Sequence, residues 1–192
     1  MANIGILGGT FDPPHNGHLA LAKNAIKSLD LTKVLFVPSH IPPHKSHQKI
    51  SSDSDRLKML ALAIADSKIY HISTIELERS GYSFTVDTLR QIKAEYPGDK
   101  ILFLIGADNI SEIESWRSPD EIFKLASVAA FTRPGFKITG KYANKIIYFD
   151  MEPLDLSSTD IRNLVRRGES ISGLLPKSVA EYISASGLYR DA

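Results

Sequence analysis

The chain has no cysteine among its 192 residues, which excludes disulfide bonds, thiol catalysis and thiolate metal sites. It has no apolar run near the roughly 20 residues of a membrane span, and no basic leader followed by a long apolar stretch. We therefore expect neither a membrane anchor nor a signal peptide. Its 23 lysines and arginines nearly balance 22 aspartates and glutamates, which gives no overall attraction to nucleic acid or membrane. We expect a cytoplasmic protein with neither partner.

Candidate strands alternate with candidate helices along the chain. Short apolar runs predict strands at residues 4–7, 34–37, 69–77, 101–105, 128–131 and 146–149. Helical periodicity predicts helices at residues 19–29, 53–66, 86–96, 110–116, 119–125, 159–167 and 177–185. This alternation predicts an α/β, Rossmann-like, doubly wound parallel sheet with helices on both faces. The length, ordinary composition and lack of a linker predict a single domain over residues 1–192.

A glycine-rich turn follows the first candidate strand and includes Gly8, Gly9 and Thr10, with Phe11 next. Such strand-to-helix turns bind phosphates, because free backbone N–H groups and the helix dipole face the anion. Similar glycines also close tight turns in α/β proteins that bind nothing. The chain lacks the Gly-Lys-Ser/Thr of a P-loop and the full glycine spacing of a dinucleotide-binding oxidoreductase.

Two histidines, His15 and His18, stand three residues apart after the turn, so one helical turn puts them on the same side. The alternative is a capping histidine beside a packed one. A metal pair is disfavoured, because no third ligand lies at a recognisable spacing, and we predict no protein-built metal site. Gly17 between them would let a nucleotide approach the backbone closely.

A second candidate site comprises Ser157, Ser158, Thr159 and Arg162. Ser158 and Arg162 are four residues apart, so both can share one face at the positive end of a helix, which suits a triphosphate. A capped helix with a surface arginine is the alternative. A basic loop over residues 39–52, with His44 and Lys45, is either a solvated connection or functional, as long loops often are.

Residues 8–18 read Gly-Gly-Thr-Phe-Asp-Pro-Pro-His-Asn-Gly-His. This run resembles the signature of the nucleotidyltransferases with the (T/H)xGH motif, and most closely resembles the bacterial nicotinate-nucleotide adenylyltransferases. The resemblance continues through residues 41–45, 81–89, 106–109, 116 and 157–162 and therefore spans most of the chain. An ordered set of this kind is much more specific than one motif.

The resemblance implies an enzyme of NAD biosynthesis that joins ATP and nicotinate mononucleotide into deamido-NAD and pyrophosphate. It implies Mg²⁺ as the cofactor, bound mainly through ATP phosphates. It assigns catalysis to His15, His18, Lys45 and Arg162. It assigns ATP binding to Gly8, Gly9, Thr10, Phe11, His15, His18, Gly106, Asp108, Ser157, Ser158, Thr159 and Arg162. It assigns mononucleotide binding to His44, Lys45, Thr85, Trp116 and Arg117.

Arg117 stands where related proteins often have an aromatic residue, and an arginine there can favour an acid over an amide. Trp116 and Thr85 are the expected specificity residues, although a lone tryptophan is more often a core anchor. The alternatives are an adenylyltransferase for nicotinamide mononucleotide or phosphopantetheine, and a non-catalytic nucleotide-binding module. A homodimer is left open.

Overall fold

The structure, a computed structural model, describes residues 1–41, 50–106, 108–132, 140–151 and 156–190. Within these ranges six strands form one sheet in the order β3-β2-β1-β4-β5-β6, and every neighbouring pair is parallel. The strands are β1 (Asn3–Gly9), β2 (Lys33–Pro38), β3 (Tyr70–Ile72), β4 (Lys100–Gly106), β5 (Ser127–Thr132) and β6 (Ile147–Asp150). This confirms the predicted α/β class and parallel sheet.

The α-helices are α1 (Asn16–Leu29), α2 (Asp53–Ile64), α3 (Thr85–Glu95), α4 (Asp108–Glu112), α5 (Pro119–Leu125), α6 (Ser158–Arg166) and α7 (Lys177–Ser186). Within the described ranges, two short 3₁₀ helices cover Ile113–Ser115 and Ala143–Lys145. In the ranges that the structure describes, no helix has the length and apolar character needed to cross a membrane.

The central strands are buried on both faces, which explains their continuous apolar sequences. In β4, Ile101, Phe103 and Ile105 face a core that includes residues of α3 and α5. Leu102 and Leu104 of the same strand face a second core, which includes residues of α1 and α2. The alternation of side chains along a strand therefore supplies both helical layers from one apolar run.

A third apolar cluster joins α2, α6 and α7, through Met59, Ile161, Leu175, Val179 and Ile183. These side chains are all at most 3% exposed. The cluster places the beginning of α6 beside the loop that follows β1, although the two are about 145 positions apart in sequence.

Three sequence predictions need correction. The strand expected over residues 69–77 ends at Ile72, because the chain turns where Leu77 N and Glu78 N both donate to the Thr74 carbonyl, at 2.8 and 3.0 Å. The helix expected from residue 19 begins at Asn16, so His18 lies within its first turn. The helix expected over residues 110–116 is instead α4 followed by a 3₁₀ turn.

The strand order reverses between β1 and β4, which are neighbours at the centre of the sheet. Ligands of doubly wound proteins bind in the crevice at such a switch point, outside the carboxyl ends of the strands. Gly9 ends β1 and Gly106 ends β4, so the two glycines mark the position of the crevice.

Candidate active site

The first motif (residues 8–18) connects β1 to α1, and its two histidines form the start of the helix. His15 is the N-cap residue, with extended backbone, and its N–H donates to His18 Nδ1 at 3.2 Å. The two imidazole rings lie 3.8 Å apart between centroids. The predicted placement of both histidines on one side of a helical turn is confirmed.

His15 is buried, with 7% of its surface exposed, and burial lowers its pKa to about 4. The ring is therefore neutral at pH 7, with one nitrogen that donates and one that accepts. Its Nδ1 has no hydrogen-bond partner among the described residues. A neutral imidazole with an unpaired buried nitrogen is suited to a ligand hydrogen bond.

Gly17 allows the His15 ring to lie across the first turn of α1. A Cβ atom at residue 17 would lie 2.9 Å from His15 Nδ1, closer than Cβ atoms approach other atoms in proteins. From the sequence, the expected role of this glycine is to let a nucleotide approach the backbone closely. The structure gives it a more immediate role, which is to leave space for the imidazole.

The second motif (residues 157–162) packs directly on the first. Ser157 caps α6, and the Ser158 hydroxyl donates to the Pro13 carbonyl at 2.9 Å. Arg162 Nη1 donates to the Asp12 carbonyl at 2.8 Å. The positive ends of α1 and α6 therefore meet beside one loop, which is a favourable environment for a polyphosphate.

Buried polar side chains support the first motif from behind. Asp12 is 3% exposed and accepts hydrogen bonds from Tyr189 Oη at 2.6 Å and from Ser51 N at 3.1 Å. Arg56 is 1% exposed and donates to the Thr10 carbonyl at 2.8 Å. These contacts fix the backbone of the turn, because each anchors a polar group that would otherwise be buried unpaired.

A cavity of about 560 Å³ opens over the switch point. Nine predicted site residues line it: Gly8, Gly9, Thr10, His15, His18, Thr85, Gly106, Trp116 and Ser157. Three buried polar atoms that lack a partner in the described part of the chain belong to side chains of this same cavity, namely His15 Nδ1, Ser39 Oγ and Trp116 Nε1. Because buried polar groups are normally paired, their concentration here indicates a site for a polar ligand.

Thr85 and Trp116 lie at one end of the cavity. Thr85 is the first residue of α3, so its N–H belongs to the first turn, whose N–H groups have no partner within the helix. The Trp116 ring packs edge-on against Phe103, with centroids 6.1 Å apart. This end of the cavity presents an aromatic surface beside a positive helix terminus, which suits a flat anionic ring.

Glu76 is a buried carboxyl at the same end of the cavity, with 7% exposure. Thr88 Oγ1 donates to Glu76 Oε1 at 2.6 Å, and the Ser83 hydroxyl also hydrogen-bonds to this carboxyl. Burial raises the pKa of Glu76, while the hydroxyls and the charge of Arg79 oppose that shift. The carboxyl joins the turn after β3 to the first turn of α3.

Among the residues whose side chains the structure describes, four that were predicted to bind ATP contribute no lining to the cavity. Phe11 is 1% exposed and packs in the core, where its ring contacts Phe36, although ATP binding was expected of it. The side chains of Ser158 and Arg162 bind the first motif, and Thr159 Oγ1 accepts from Arg162 Nη2.

Arg117 lies outside the cavity and is 54% exposed. Its guanidinium stacks over Phe84 at 4.8 Å and pairs with Asp87 at 3.3 Å. The predicted contact of Arg117 with the mononucleotide stays a prediction, because its guanidinium here contacts Phe84 and Asp87. His44 and Lys45 lie outside the described residues, and Asp108 is described only as the first backbone position of α4.

Sequence reasoning missed Ser39, Glu76, Arg56 and Tyr189. A serine after a strand, a glutamate in an apparent strand and an arginine on a helix are all commonly exposed residues, so their types carried no signal. Only the position of Ser39, directly after a buried strand and therefore at the carboxyl edge of the sheet, could have identified it.

Comparison with known proteins places the chain in a family. A cytidylyltransferase-like family model matches residues 6–164. A protein of Geobacillus kaustophilus named as a probable nicotinate-nucleotide adenylyltransferase is 43% identical over 189 residues, which are 98% of this chain and 87% of that protein. The nicotinate-nucleotide adenylyltransferase of Bacillus subtilis is 38% identical over 189 residues, covering 98% and 99%.

Among solved structures, the nicotinic acid mononucleotide adenylyltransferase of Plasmodium falciparum complexed with NaAD has a TM-score of 0.80 at 22% identity, over 98% of each chain. This likeness shows the shared fold. The sequence relatives and the family model go further: the chain belongs to the cytidylyltransferase-like proteins and, among them, to the nicotinate-nucleotide adenylyltransferase family.

Proposed function

We propose that the protein transfers the adenylyl group of ATP to nicotinate mononucleotide, giving deamido-NAD and pyrophosphate. The observation that carries the proposal is the single cavity over the switch point, lined at one end by the first motif and at the other by Thr85 and Trp116. Relatives that are 38% and 43% identical carry the name of this activity. The predicted enzyme class is supported by the same relatives.

The ATP phosphates would bind at the first motif, against the positive ends of α1 and α6. The backbone N–H groups of Gly8, Gly9 and Thr10 can donate to the anion. The side chains of His15 and His18 add ring nitrogens. Ser158 and Arg162 hold the two helix ends together through carbonyl contacts. The remaining N–H groups of the Arg162 guanidinium would then donate hydrogen bonds to the triphosphate. Gly106 and Asp108, at the end of β4, stay the predicted contacts of the adenosine part.

The reaction forms a bond between a phosphate oxygen of the mononucleotide and the α-phosphorus of ATP, and breaks the bond from that phosphorus to pyrophosphate, which leaves with the electron pair. A phosphate monoester has a second pKa near 6, so the nucleophile is already anionic at pH 7. A general base is unnecessary, which agrees with the lowered pKa of His15, about 4, because it makes the imidazole a weak base. The residues therefore act by alignment and by hydrogen bonds to developing charge.

We propose Mg²⁺ as the divalent ion that accompanies ATP, where it would neutralise part of the triphosphate charge. Among the residues that the structure describes, no group of three or more His, Asp and Glu side chains could hold a metal ion. The donors expected for it are therefore phosphate oxygens and water, which suit the hard oxygen preference of Mg²⁺.

Preference for the acid over the amide would come from the start of α3. The N–H groups of its first turn, including that of Thr85, can donate to a ring carboxylate, and the helix dipole favours a negative charge there. Trp116 would stack on the ring. Arg117 would act only through Phe84 and Asp87, both of which it contacts. His44 and Lys45 stay predictions as phosphate-binding residues.

The test is the initial rate of pyrophosphate release from ATP with three acceptors, namely nicotinate mononucleotide, nicotinamide mononucleotide and phosphopantetheine. We expect release with the acid at a rate at least tenfold above the amide. Equal rates would retain adenylyl transfer and reject the specificity. Release with phosphopantetheine alone, or ATP binding without any release, would reject the proposed function. The cytoplasmic location, the homodimer and the single domain over residues 1–192 stay predictions.

A further inference from the structure

The Ser39 hydroxyl is a buried polar group that the first and second motifs do not use. Ser39 is 8% exposed and lines the cavity, and its Oγ has no hydrogen-bond partner among the described residues. The two other unpaired atoms of the cavity belong to His15 and Trp116, which the family resemblance already assigns to ligands. Ser39 shares their burial and their lack of a partner but has no assigned role.

The backbone on either side of Ser39 fixes its place between the two ends of the cavity. Ser39 N donates to the Gly9 carbonyl at 2.9 Å, which holds the residue beside the first motif. The next residue, His40, donates from its N–H to Ser83 Oγ at 2.9 Å. Ser83 lies two positions before Thr85, at the start of α3. Ser39 therefore connects the phosphate end of the cavity to the ring end.

A buried hydroxyl without a hydrogen-bond partner destabilises the folded protein unless a ligand or a water molecule binds it. A buried donor or acceptor left without a partner loses its hydrogen bonds to water and gains none in return, whereas an apolar group of similar size in the same place has no such cost. Ser39 lines a cavity large enough for a nucleotide, so a bound ligand or the water that it displaces can supply the missing partner.

We propose that Ser39 Oγ is a binding group for the sugar-phosphate part of the mononucleotide, donating its proton to a ribose or phosphate oxygen. The inference rests on the proposed function, because it takes the mononucleotide to extend from its ring at Thr85 and Trp116 to its phosphate at the first motif. The ribose 5-phosphate is the part that connects those two ends, and it passes the position of Ser39.

The neighbouring strand provides a matched control. Ser73 follows β3 as Ser39 follows β2, and Ser73 N donates to the Phe36 carbonyl at 2.9 Å, as Ser39 N donates to that of Gly9. Ser73 does not line the cavity over the switch point. Removing the two hydroxyls therefore compares the same chemical change at the same kind of backbone position, with and without access to the ligand.

The experiment measures the dissociation constants of nicotinate mononucleotide and of nicotinate riboside, which lacks the phosphate, for the wild type, Ser39→Ala and Ser73→Ala. The KM for ATP and the unfolding midpoint are measured on the same samples. We expect Ser39→Ala to weaken mononucleotide binding about tenfold, the loss for one hydrogen bond to a ligand. The KM for ATP should stay within twofold, and the unfolding midpoint should be equal or higher, because no new unpaired group is created.

Weaker binding of the mononucleotide alone would assign the contact to the phosphate, and weaker binding of both ligands would assign it to the ribose. Unchanged mononucleotide binding in Ser39→Ala, or an equal loss in Ser73→Ala, would overturn the inference while the proposed function stands. A wild type that binds no mononucleotide would instead reject the proposed function, and the inference with it.

Discussion

The Tyr189 hydroxyl donates a hydrogen bond of 2.6 Å to Asp12 Oδ1, across 177 positions of sequence. The carbonyl of the same aspartate accepts from Arg162 Nη1 at 2.8 Å. Burial, and then the negative charge of Asp12, raise the pKa of Tyr189, so the phenol keeps its proton and remains a donor. The end of α7 and the residues after it therefore hold the loop on which the second motif packs.

Replacing Tyr189 with Phe removes one donor from a buried carboxylate and should lower the free energy of unfolding by about 1–3 kcal/mol. We also expect a several-fold higher KM for ATP, because the Asp12 backbone anchors Arg162. Thermal unfolding checks the loss of stability, and initial rates at varied ATP concentration check the KM. Tyr148→Phe is the control, since its hydroxyl donates to the Ala143 carbonyl on a 39% exposed side chain. Equal effects in the two variants would contradict the supporting role.

The buried His15 predicts a pH dependence of stability. Its pKa of about 4 in the folded chain is below its ordinary 6.5, so the unfolded chain binds more protons between these values. His15 therefore leaves the free energy of unfolding at its full value above pH 6.5. As the pH falls toward 4, protonation of His15 in the unfolded chain lowers that free energy by about 3 kcal/mol in total. Urea unfolding at pH 7 and pH 4.5 should show a smaller decrease in His15→Asn than in the wild type. Parallel decreases in the two proteins would contradict a neutral, buried His15.

Replacing Gly17 with Ala should displace the His15 ring, because the new Cβ would lie 2.9 Å from its Nδ1. We expect kcat to fall at least tenfold. The unfolding midpoint should change little, because the helix preference of alanine, up to about 1 kcal/mol, offsets the cost of displacing the ring. Gly98→Ala is the control, because a Cβ there meets nothing within 4 Å. Full activity in Gly17→Ala would show that the orientation of His15 is unimportant.

Replacing Glu76 with Gln introduces an amide donor beside two hydroxyls, those of Thr88 and Ser83, that hydrogen-bond to the carboxyl. The rearranged hydroxyls should raise the KM for the mononucleotide several-fold and leave the KM for ATP unchanged. Glu78→Gln, at an exposed position two residues away, supplies the comparison. A change in stability without any change in either KM would show that Glu76 only supports the fold.

The sheet could be predicted from sequence because its central strands are buried on both faces and therefore appear as continuous apolar runs. The prediction of a strand over residues 69–77 was wrong for a related reason, since the apolar side chain of Ile75 packs on the core from a turn and not from a strand. The pattern of apolar residues indicates which side chains are buried, but it does not distinguish well between a strand and a packed turn.

The first and second motifs could be predicted because their chemistry depends on local backbone, namely a glycine turn and two helix N-termini. The supporting contacts could not. Tyr189 reaches Asp12 across 177 positions and Arg56 reaches Thr10 across 46, so neither partner is visible in the local sequence. The expectation that Phe11 binds ATP stays a prediction. The burial of its ring in the core, where the backbone takes a φ of 51°, was equally invisible in the local sequence.

The most direct test of adenylyl transfer follows two phosphorus labels in one reaction with nicotinate mononucleotide. With ATP labelled at the α-phosphorus, the label should appear in a dinucleotide that contains the nicotinate ring. With ATP labelled at the γ-phosphorus, it should appear in pyrophosphate in equal amount, and His18→Ala should lower both at least a hundredfold. An α-label that stays in AMP or ADP, with no labelled dinucleotide, would contradict the account.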